Sequence, residues 1–366
     1  MTDTDAVAGL AAELVQIDSR SSLSNIPVAD RLEAALAGFA IERLDYTDAR
    51  GVQKRVLVAH RGGPGGLALS GHMDTVPDTG WTDDPWSGRI ADGVLHGLGS
   101  VDMKGPVAAA VIAARGLPAD VPVTLLLTTD EETTKEGARA IVTRSVLARE
   151  AKLAGIIVVE PTGLIPIRGH RSSINFVAEA EGVQAHSSMG VGRNANWALI
   201  PFLAAMKPIH EMLRDDPAWH DAGYDPVFSD FNIVIENHGA AVNVTVPRAT
   251  ARIKFRYSRG IDPTAIIAAV RAAAEKTGVT LTEAREGTPP DQPATHPLIR
   301  AAVKAAGHEA TTVPFGTDAS ELTTLAPCVI LGPGTTATAH TPREEVALAD
   351  LAAAVPLFRQ MLTTGV

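Results

Sequence analysis

The sequence predicts an α/β fold in which a small α+β unit is inserted into a larger layered domain. Three observations carry this reading. Short apolar runs alternate with helical stretches towards both ends of the chain, as layers of helix on sheet require. The middle follows a different rhythm, β-α-β-β-α-β. A polar stretch holding Pro289, Pro290, Pro293 and Pro297 then intervenes, and the first pattern resumes beyond it.

In chain order, helical periodicity covers 6–17 and 28–39. The apolar runs at 55–59 and 67–70 read as buried parallel strands, because strands covered on both faces need no polar alternation. Gly62-Gly63-Pro64-Gly65-Gly66 between them reads as a tight turn. No Gly-Lys-Ser/Thr follows, so it is not a phosphate loop. The glycine-rich loop 97–105 precedes a helix at 106–115, and Gly97-Leu98-Gly99 lacks the third glycine of a dinucleotide fingerprint. A strand at 121–128, a helix at 135–150 and a strand at 154–159 follow.

From Ile174, apolar Phe176, Ala178 and Ala180 alternate with Asn175, Val177, Glu179 and Glu181, which predicts a strand. A helical stretch at 194–214, interrupted by Pro201 and Pro208, leads to strands at 228–236 and 248–257. A helix at 263–276 and a strand at 279–283 complete a ferredoxin-like unit. The last apolar strand is 328–331. The domain boundaries expected are 1–172 with 286–366 for the larger domain and 173–285 for the insertion.

Composition narrows the function classes. The 366 residues suffice for about two domains with a sizeable core, at 45% hydrophobic and 20% charged residues. A net charge of −10 argues against nucleic acid and anionic membranes as partners. Cys328 is the single cysteine, which excludes an internal disulfide, a four-cysteine zinc site and Cys-x-x-Cys redox chemistry. It lies in an apolar run and reads as a small buried hydrophobe. The first ten residues carry acids and no base, unlike a signal peptide. The uncharged stretch 322–339 is broken by prolines and glycines, unlike a membrane span. A cytoplasmic setting is expected.

Ligands of open α/β sheets bind beyond the carboxyl ends of the strands. In this chain those ends hold metal-ligand residue types. Gly71-His72-Met73-Asp74 follows the 67–70 run, Thr129-Asp130-Glu131-Glu132 follows 121–128, and Glu160-Pro161-Thr162 follows 154–159. A Gly/Thr loop after 328–331 ends in His340, and Asp102 lies in the 97–105 loop. Taken singly, each has an ordinary explanation: Asp102 as a helix cap, the glutamate pair as solvated charge at a helix start, His340 as a loop histidine. Together, two histidines and three carboxylates suit a pair of divalent cations with mixed nitrogen and oxygen ligands. With one bridging hydroxide the charges of such a site balance. Asp74, two residues after His72, suits the task of accepting the second ring N–H.

The series Gly71-His72-Met73-Asp74-Thr75-Val76-Pro77, Gly99-Ser100-Val101-Asp102-Met103-Lys104-Gly105, Asp130-Glu131-Glu132-Thr133, Glu160-Pro161-Thr162 and Ala339-His340 resembles the motif series of the M20 metallopeptidase family. That family includes deacylases of N-acyl amino acids as well as peptidases. The resemblance implies a mixed-sheet α/β catalytic domain with an inserted ferredoxin-like lid and dimerisation domain. It implies His72 and Glu160 on one metal, Glu132 and His340 on the other, and Asp102 between them. Glu131 would be the general base and Asp74 would orient His72. The cofactors implied are two divalent ions per subunit, zinc first, with cobalt or manganese as alternatives. On the lid, Gln184-Ala185-His186-Ser187-Ser188 matches a motif whose imidazole reaches the substrate carbonyl, often across a dimer interface. Asn243 and Arg256 match the pair that holds a substrate carboxylate, and Gly316-Thr317-Asp318-Ala319-Ser320 matches a substrate-contacting loop.

The implied partners are a small N-acyl amino acid or short peptide and, through the lid, a second copy of the chain. Leu98 in place of the commoner arginine, Glu160-Pro161-Thr162-Gly163-Leu164 and Leu331-Gly332-Pro333-Gly334 lean towards the acetylornithine deacetylase branch. His170-Arg171-Ser172 departs from that branch, as do Lys254 and Trp86. These changes leave the ligand set intact and bear on side-chain preference. The activity expected is removal of an acyl group from an N-acylated amino acid. A carboxypeptidase or dipeptidase of the same family is the alternative. A non-catalytic metal- or ligand-binding scaffold is the alternative of another class. His96, His170, His210 and His220 fall outside the series and read as structural.

Overall fold

A computed structural model describes residues 2–365. The chain divides into two compact units, one of Met1–Gly169, Pro290–Thr312 and Thr317–Val366, the other of His170–Pro289 and Val313–Gly316. The first stretch supplies helices α1 (Asp3–Val15) and α2 (Ile26–Ala35) and strands β1 (Ala40–Thr47), β2 (Gln53–Arg61) and β3 (Leu67–His72). A small hairpin of β4 (Arg89–Ala91) and β5 (Val94–His96) follows, then α3 (Lys104–Arg115) and β6 (Val123–Thr128). Helices α4 (Glu136–Arg144) and α5 (Val146–Glu150) and strands β7 (Gly155–Val158) and β8 (Ile167–His170) complete this stretch. The middle contributes β9 (Ser172–Glu181), α6 (Asn196–Asp215), β10 (Asp230–Glu236), β11 (Arg248–Tyr257), α7 (Thr264–Thr277) and β12 (Thr280–Arg285). The return adds α8 (Pro297–Ala306), β13 (Thr311–Val313), α9 (Ala319–Leu322), β14 (Cys328–Ile330), β15 (Glu345–Ala347) and α10 (Leu348–Thr364).

The large sheet is mixed, with strand order β1-β2-β6-β3-β7-β14-β8-β13. Its centre, β6-β3-β7-β14, is parallel. Residues of β3, β6 and β7 are buried throughout, which is why they read as unbroken apolar runs. Alternation still decides which face each side chain enters. Leu67, Leu69, Val123, Leu125, Leu127, Ile157 and Val329 join the core under α1, α3 and α10. The intervening residues, such as Ala68, Leu126, Ile156 and Ile330, are buried too, and α4, α5 and α9 pack on strands of the same sheet. Among the described residues no helix is long and apolar enough to cross a membrane.

The run at 55–59 is not parallel. It lies in β2, which is antiparallel to both β1 and β6. An apolar run reports burial on two faces and says nothing about strand direction. The helix expected at 135–150 is two helices. The Ser145 hydroxyl caps the Ala148 N–H at 2.9 Å, and the Glu42 carboxylate accepts the N–H groups of Val146 and Leu147, so the chain restarts there.

In the second unit the sheet order is β10-β11-β9-β12, all antiparallel, with α6 and α7 packed together over a shared core. Pro201 and Pro208 do not interrupt α6, which runs unbroken for 20 residues. A proline inside a helix costs ~3 kcal/mol. Leu199, Phe202, Met206, Ile209 and Leu213, buried at alternating three- and four-residue spacing, offset that at ~1.5–3 kcal/mol each.

Candidate metal centre

The carboxyl ends of the parallel strands converge at one edge of the sheet. His72 closes β3, Glu131 and Glu132 follow β6, Glu160 follows β7, and the loop beyond β14 carries His340. Asp102 sits just before α3. Two groups of potential ligand atoms form there, His72 with Asp102 and Glu160, and Asp102 with Glu132 and His340, each within 4.8 Å. Asp102 belongs to both. Its Oδ1 lies 3.2 Å from His72 Nε2, and its Oδ2 lies 3.2 Å from His340 Nε2. His340 Nε2 is also 3.0 Å from Glu132 Oε1. His72 is 1% exposed, whereas the His340 side chain is 51% exposed, so the pair has a buried side and an open side.

The backbone builds this geometry. His72 Nδ1 donates to the Asp74 main-chain carbonyl at 2.9 Å, which fixes the tautomer and turns Nε2 towards Asp102. The Asp74 carboxylate, expected on the imidazole, lies farther away at 3.6 Å. It accepts the Ser21 hydroxyl at 2.7 Å and the N–H groups of Glu131 and Glu132 at 3.2 and 3.4 Å. Asp74 therefore holds the glutamate loop by its side chain and the histidine by its backbone. Asp130 anchors the loop from the other side: Lys54 Nζ lies 2.8 Å away and the Tyr46 hydroxyl donates at 2.6 Å. Glu344 Oε1 accepts three main-chain N–H groups, of Gly99 at 2.9 Å, Val101 at 3.1 Å and Asp102 at 3.0 Å. Gly99 adopts φ +84°, which turns successive amides towards one point, a concavity that favours an anion. The loop carrying His340 thus clasps the loop carrying Asp102.

Electrostatics show what the donor set lacks. Burial pushes the Glu160 carboxyl well above its ordinary range, and Asp102, Glu131 and Glu132 add repulsion. Burial also pushes Glu131 up to about 8, against the pull of Lys135. Asp102 is held below the usual range because hydrogen bonds from His340 and His72 overcome its burial. The same contacts, to Asp102 first and then Glu132, push His340 up to about 11. The cluster therefore demands positive charge. Divalent cations supply it without protons, and the oxygen and imidazole donors suit them. His72, Asp102, Glu132, Glu160 and His340 fit such ions by chemistry and proximity.

The remaining expected residues stand elsewhere. Thr317 is buried, its hydroxyl accepts the Ala319 N–H at 3.1 Å, and its carbonyl accepts Lys135 Nζ at 3.0 Å. In the second unit, His186 is exposed and its Nδ1 takes the Ser188 hydroxyl at 2.8 Å. Asn243 is close by, its carbonyl accepting the Ser187 N–H at 2.9 Å. Arg256, on β11, pairs with Asp230 at 2.6 Å. Sequence reasoning missed Glu344, Lys54 and Lys135. The available signal for Glu344 was a glycine loop rich in free amides that needed an anion.

A mixed sheet that gathers acid and histidine side chains at its carboxyl edge, in two groups sharing Asp102, is an arrangement suited to divalent metals. Residues 68–364 match the peptidase family M20/M25/M40. Acetylornithine deacetylase of Myxococcus xanthus is 33% identical, over 96% of this chain and 95% of that protein. Succinyl-diaminopimelate desuccinylase of Sphingopyxis alaskensis is 32% identical, over 96% of each. The M20 metallo-carboxypeptidase of Sulfolobus solfataricus superposes with a TM-score of 0.74 at 16% identity, covering 96% of this chain and 97% of that one. The chain belongs to the M20 family and is a metal-dependent amide hydrolase.

Proposed function

We propose that the protein is a two-metal deacylase that hydrolyses the amide of an N-acylated amino acid. One observation supports this: the two oxygens of Asp102 face two different histidines, each at 3.2 Å, the geometry that a carboxylate shared between two cation sites calls for. His72 and Glu160 would hold one ion, Glu132 and His340 the other, with zinc the first choice for this donor set. When bound, the ions supply Lewis acidity to the scissile carbonyl and lower the pKa of the attacking water towards ~7. Glu131 takes the water proton and returns it to the amine nitrogen as the C–N bond breaks, leaving a carboxylic acid and an amine; the acid's remaining proton then passes to the amine, giving a carboxylate and an ammonium. The Asp74 carboxylate keeps Glu131 and Glu132 in place through their N–H groups. His186 is assigned to the carbonyl oxygen, with Ser188 orienting its ring. Asn243 and Arg256 are assigned to a substrate carboxylate, which suits a guanidinium fork, and Thr317 to shaping the loop beside the site. A homodimer through the inserted unit is part of this reading, supported by Trp197 and Ile200 of α6, which are 75% and 50% exposed. The curated relatives named deacetylase and desuccinylase favour acyl removal over peptide cleavage.

The test is a matched panel of N-acetyl amino acids, their α-amides and simple dipeptides, assayed before and after chelation. N-acetyl acids should be cleaved fastest, chelation should abolish turnover, and zinc, cobalt or manganese should restore it. Arg256→Ala should shrink the preference for acid over amide. Full turnover in protein shown to be metal-free by elemental analysis overturns the metal assignment. Faster cleavage of dipeptides replaces the deacylase reading with a peptidase.

A further inference from the structure

Lys135 breaks three local rules at once. It precedes α4 with φ +56° and ψ +24°, the left-handed region that residues with a Cβ occupy at a cost. It places a positive charge at a helix N-terminus, where the dipole disfavours one. It is also only 4% exposed, although an ammonium gives up strong hydration on burial. A lysine kept under these conditions is held for something its ammonium does.

The ammonium lies where two loops meet. Nζ is 3.0 Å from the Thr317 carbonyl oxygen and 3.7 Å from Glu131 Oε1. Thr317 opens the turn into α9, and Asp318 next to it accepts the Thr128 hydroxyl at 2.5 Å. Thr128 ends β6, and Glu131 stands three residues beyond it. The backbone around Lys135 is equally committed: its N–H donates to the Asp130 carbonyl at 2.7 Å. The left-handed turn is what brings the side chain back over its own loop towards Glu131.

We propose that Lys135 is a positioning residue for hydrolysis, holding the Glu131 carboxylate and the Thr317 carbonyl together so that Glu131 meets the attacking water at one angle. This rests on the reading of Glu131 as general base. Lys135 acts through Glu131 and touches no substrate. A misplacement of about 1 Å at a reacting group can cost ~10²-fold in rate, so a loose Glu131 should slow turnover without weakening substrate binding.

The experiment compares wild type, Lys135→Met, Lys135→Gln, Lys135→Arg and Glu131→Gln, using the N-acetyl amino acid that wild type cleaves fastest. For each, kcat, KM, metal content and thermal midpoint are measured. Lys135→Met should lower kcat by ~10–100-fold, with KM within about twofold and metal content unchanged. Lys135→Arg should recover most of that loss, and Lys135→Met should add nothing to Glu131→Gln. Lys135→Gln, which keeps a donor to Thr317 without the charge, is read in the same way should Lys135→Met fail to fold. A kcat within twofold of wild type for Lys135→Met, or a loss that follows metal content or folded fraction and is not repaired by arginine, overturns the proposal. Turnover retained by Glu131→Gln overturns the general-base reading instead, so the two failures are separable.

Discussion

Replacing Glu344 by alanine probes the clasp between the loops that carry Asp102 and His340. The change leaves three buried N–H groups, at Gly99, Val101 and Asp102, without their acceptor. Each orphaned donor costs ~1–3 kcal/mol, so ~4 kcal/mol is a fair local sum. Global stability will register less than this. Burial pushes the Glu344 carboxyl up to about 8, and removing a group that resists burial returns part of the loss. The decisive readout is therefore local. Hydrogen exchange over 97–105 should accelerate by about a thousandfold at the three amides, since ~1.4 kcal/mol corresponds to a factor of ten. Affinity for divalent ions should fall by ~10–100-fold, as when outer partners of metal ligands are removed. Glu344→Gln keeps an acceptor oxygen and should fall between alanine and wild type on both measures. Exchange at the three amides within tenfold of wild type in Glu344→Ala, with unchanged metal affinity, would refute the clasp.

Two further outcomes can be checked directly. Glu131→Gln should lower kcat by ~10²–10⁴-fold while keeping wild-type metal content, whereas Glu132→Gln should lose an ion by elemental analysis; the opposite pattern means that the two roles are exchanged. Burial pushes the Lys104 ammonium down to about 8 from 10.5, so between those values the unfolded chain binds more protons and stability rises with pH, by a few kcal/mol at most. Denaturant midpoints from pH 7 to 11 should show that rise in wild type and a flatter curve in Lys104→Met; parallel curves would mean that burial does not lower the lysine's pKa and that it stays charged in the folded chain.

What could be read from the sequence, and what could not, follows from the range of the forces involved. The parallel strands β3, β6 and β7 were legible because burial on two faces leaves a continuous apolar run. The direction of β2 was not, because an antiparallel strand buried in the same way leaves the same run. The strand β9 was legible because its alternation, Phe176, Ala178 and Ala180 buried between partly exposed neighbours, is local. The unbroken course of α6 was missed because Pro201 and Pro208 act at short range, while the packing that overrides them comes from β9, β10, β11 and α7.

The site divides along the same line. Its candidate ligands stood out because five of them gather after the strands and in the loops of one sheet edge, a grouping that the ordinary explanation of each alone does not account for. The groups that aim them did not, because their partners are remote in the chain and ordinary in kind. Gly99 and Glu344 are 245 residues apart, and a glutamate in a polar loop looks like solvated charge until its three amides are seen. Asp74 shows the subtler case. Its position two residues after His72 pointed to the right pair, but proximity could not choose between carbonyl and carboxylate. The main-chain carbonyl reaches the ring at 2.9 Å, which leaves the carboxylate to gather the amides of Glu131 and Glu132. One aspartate thus ties a candidate ligand on β3 to a candidate ligand and a proposed base after β6. The tie depends on which of its oxygens faces which loop, and only the folded chain determines that.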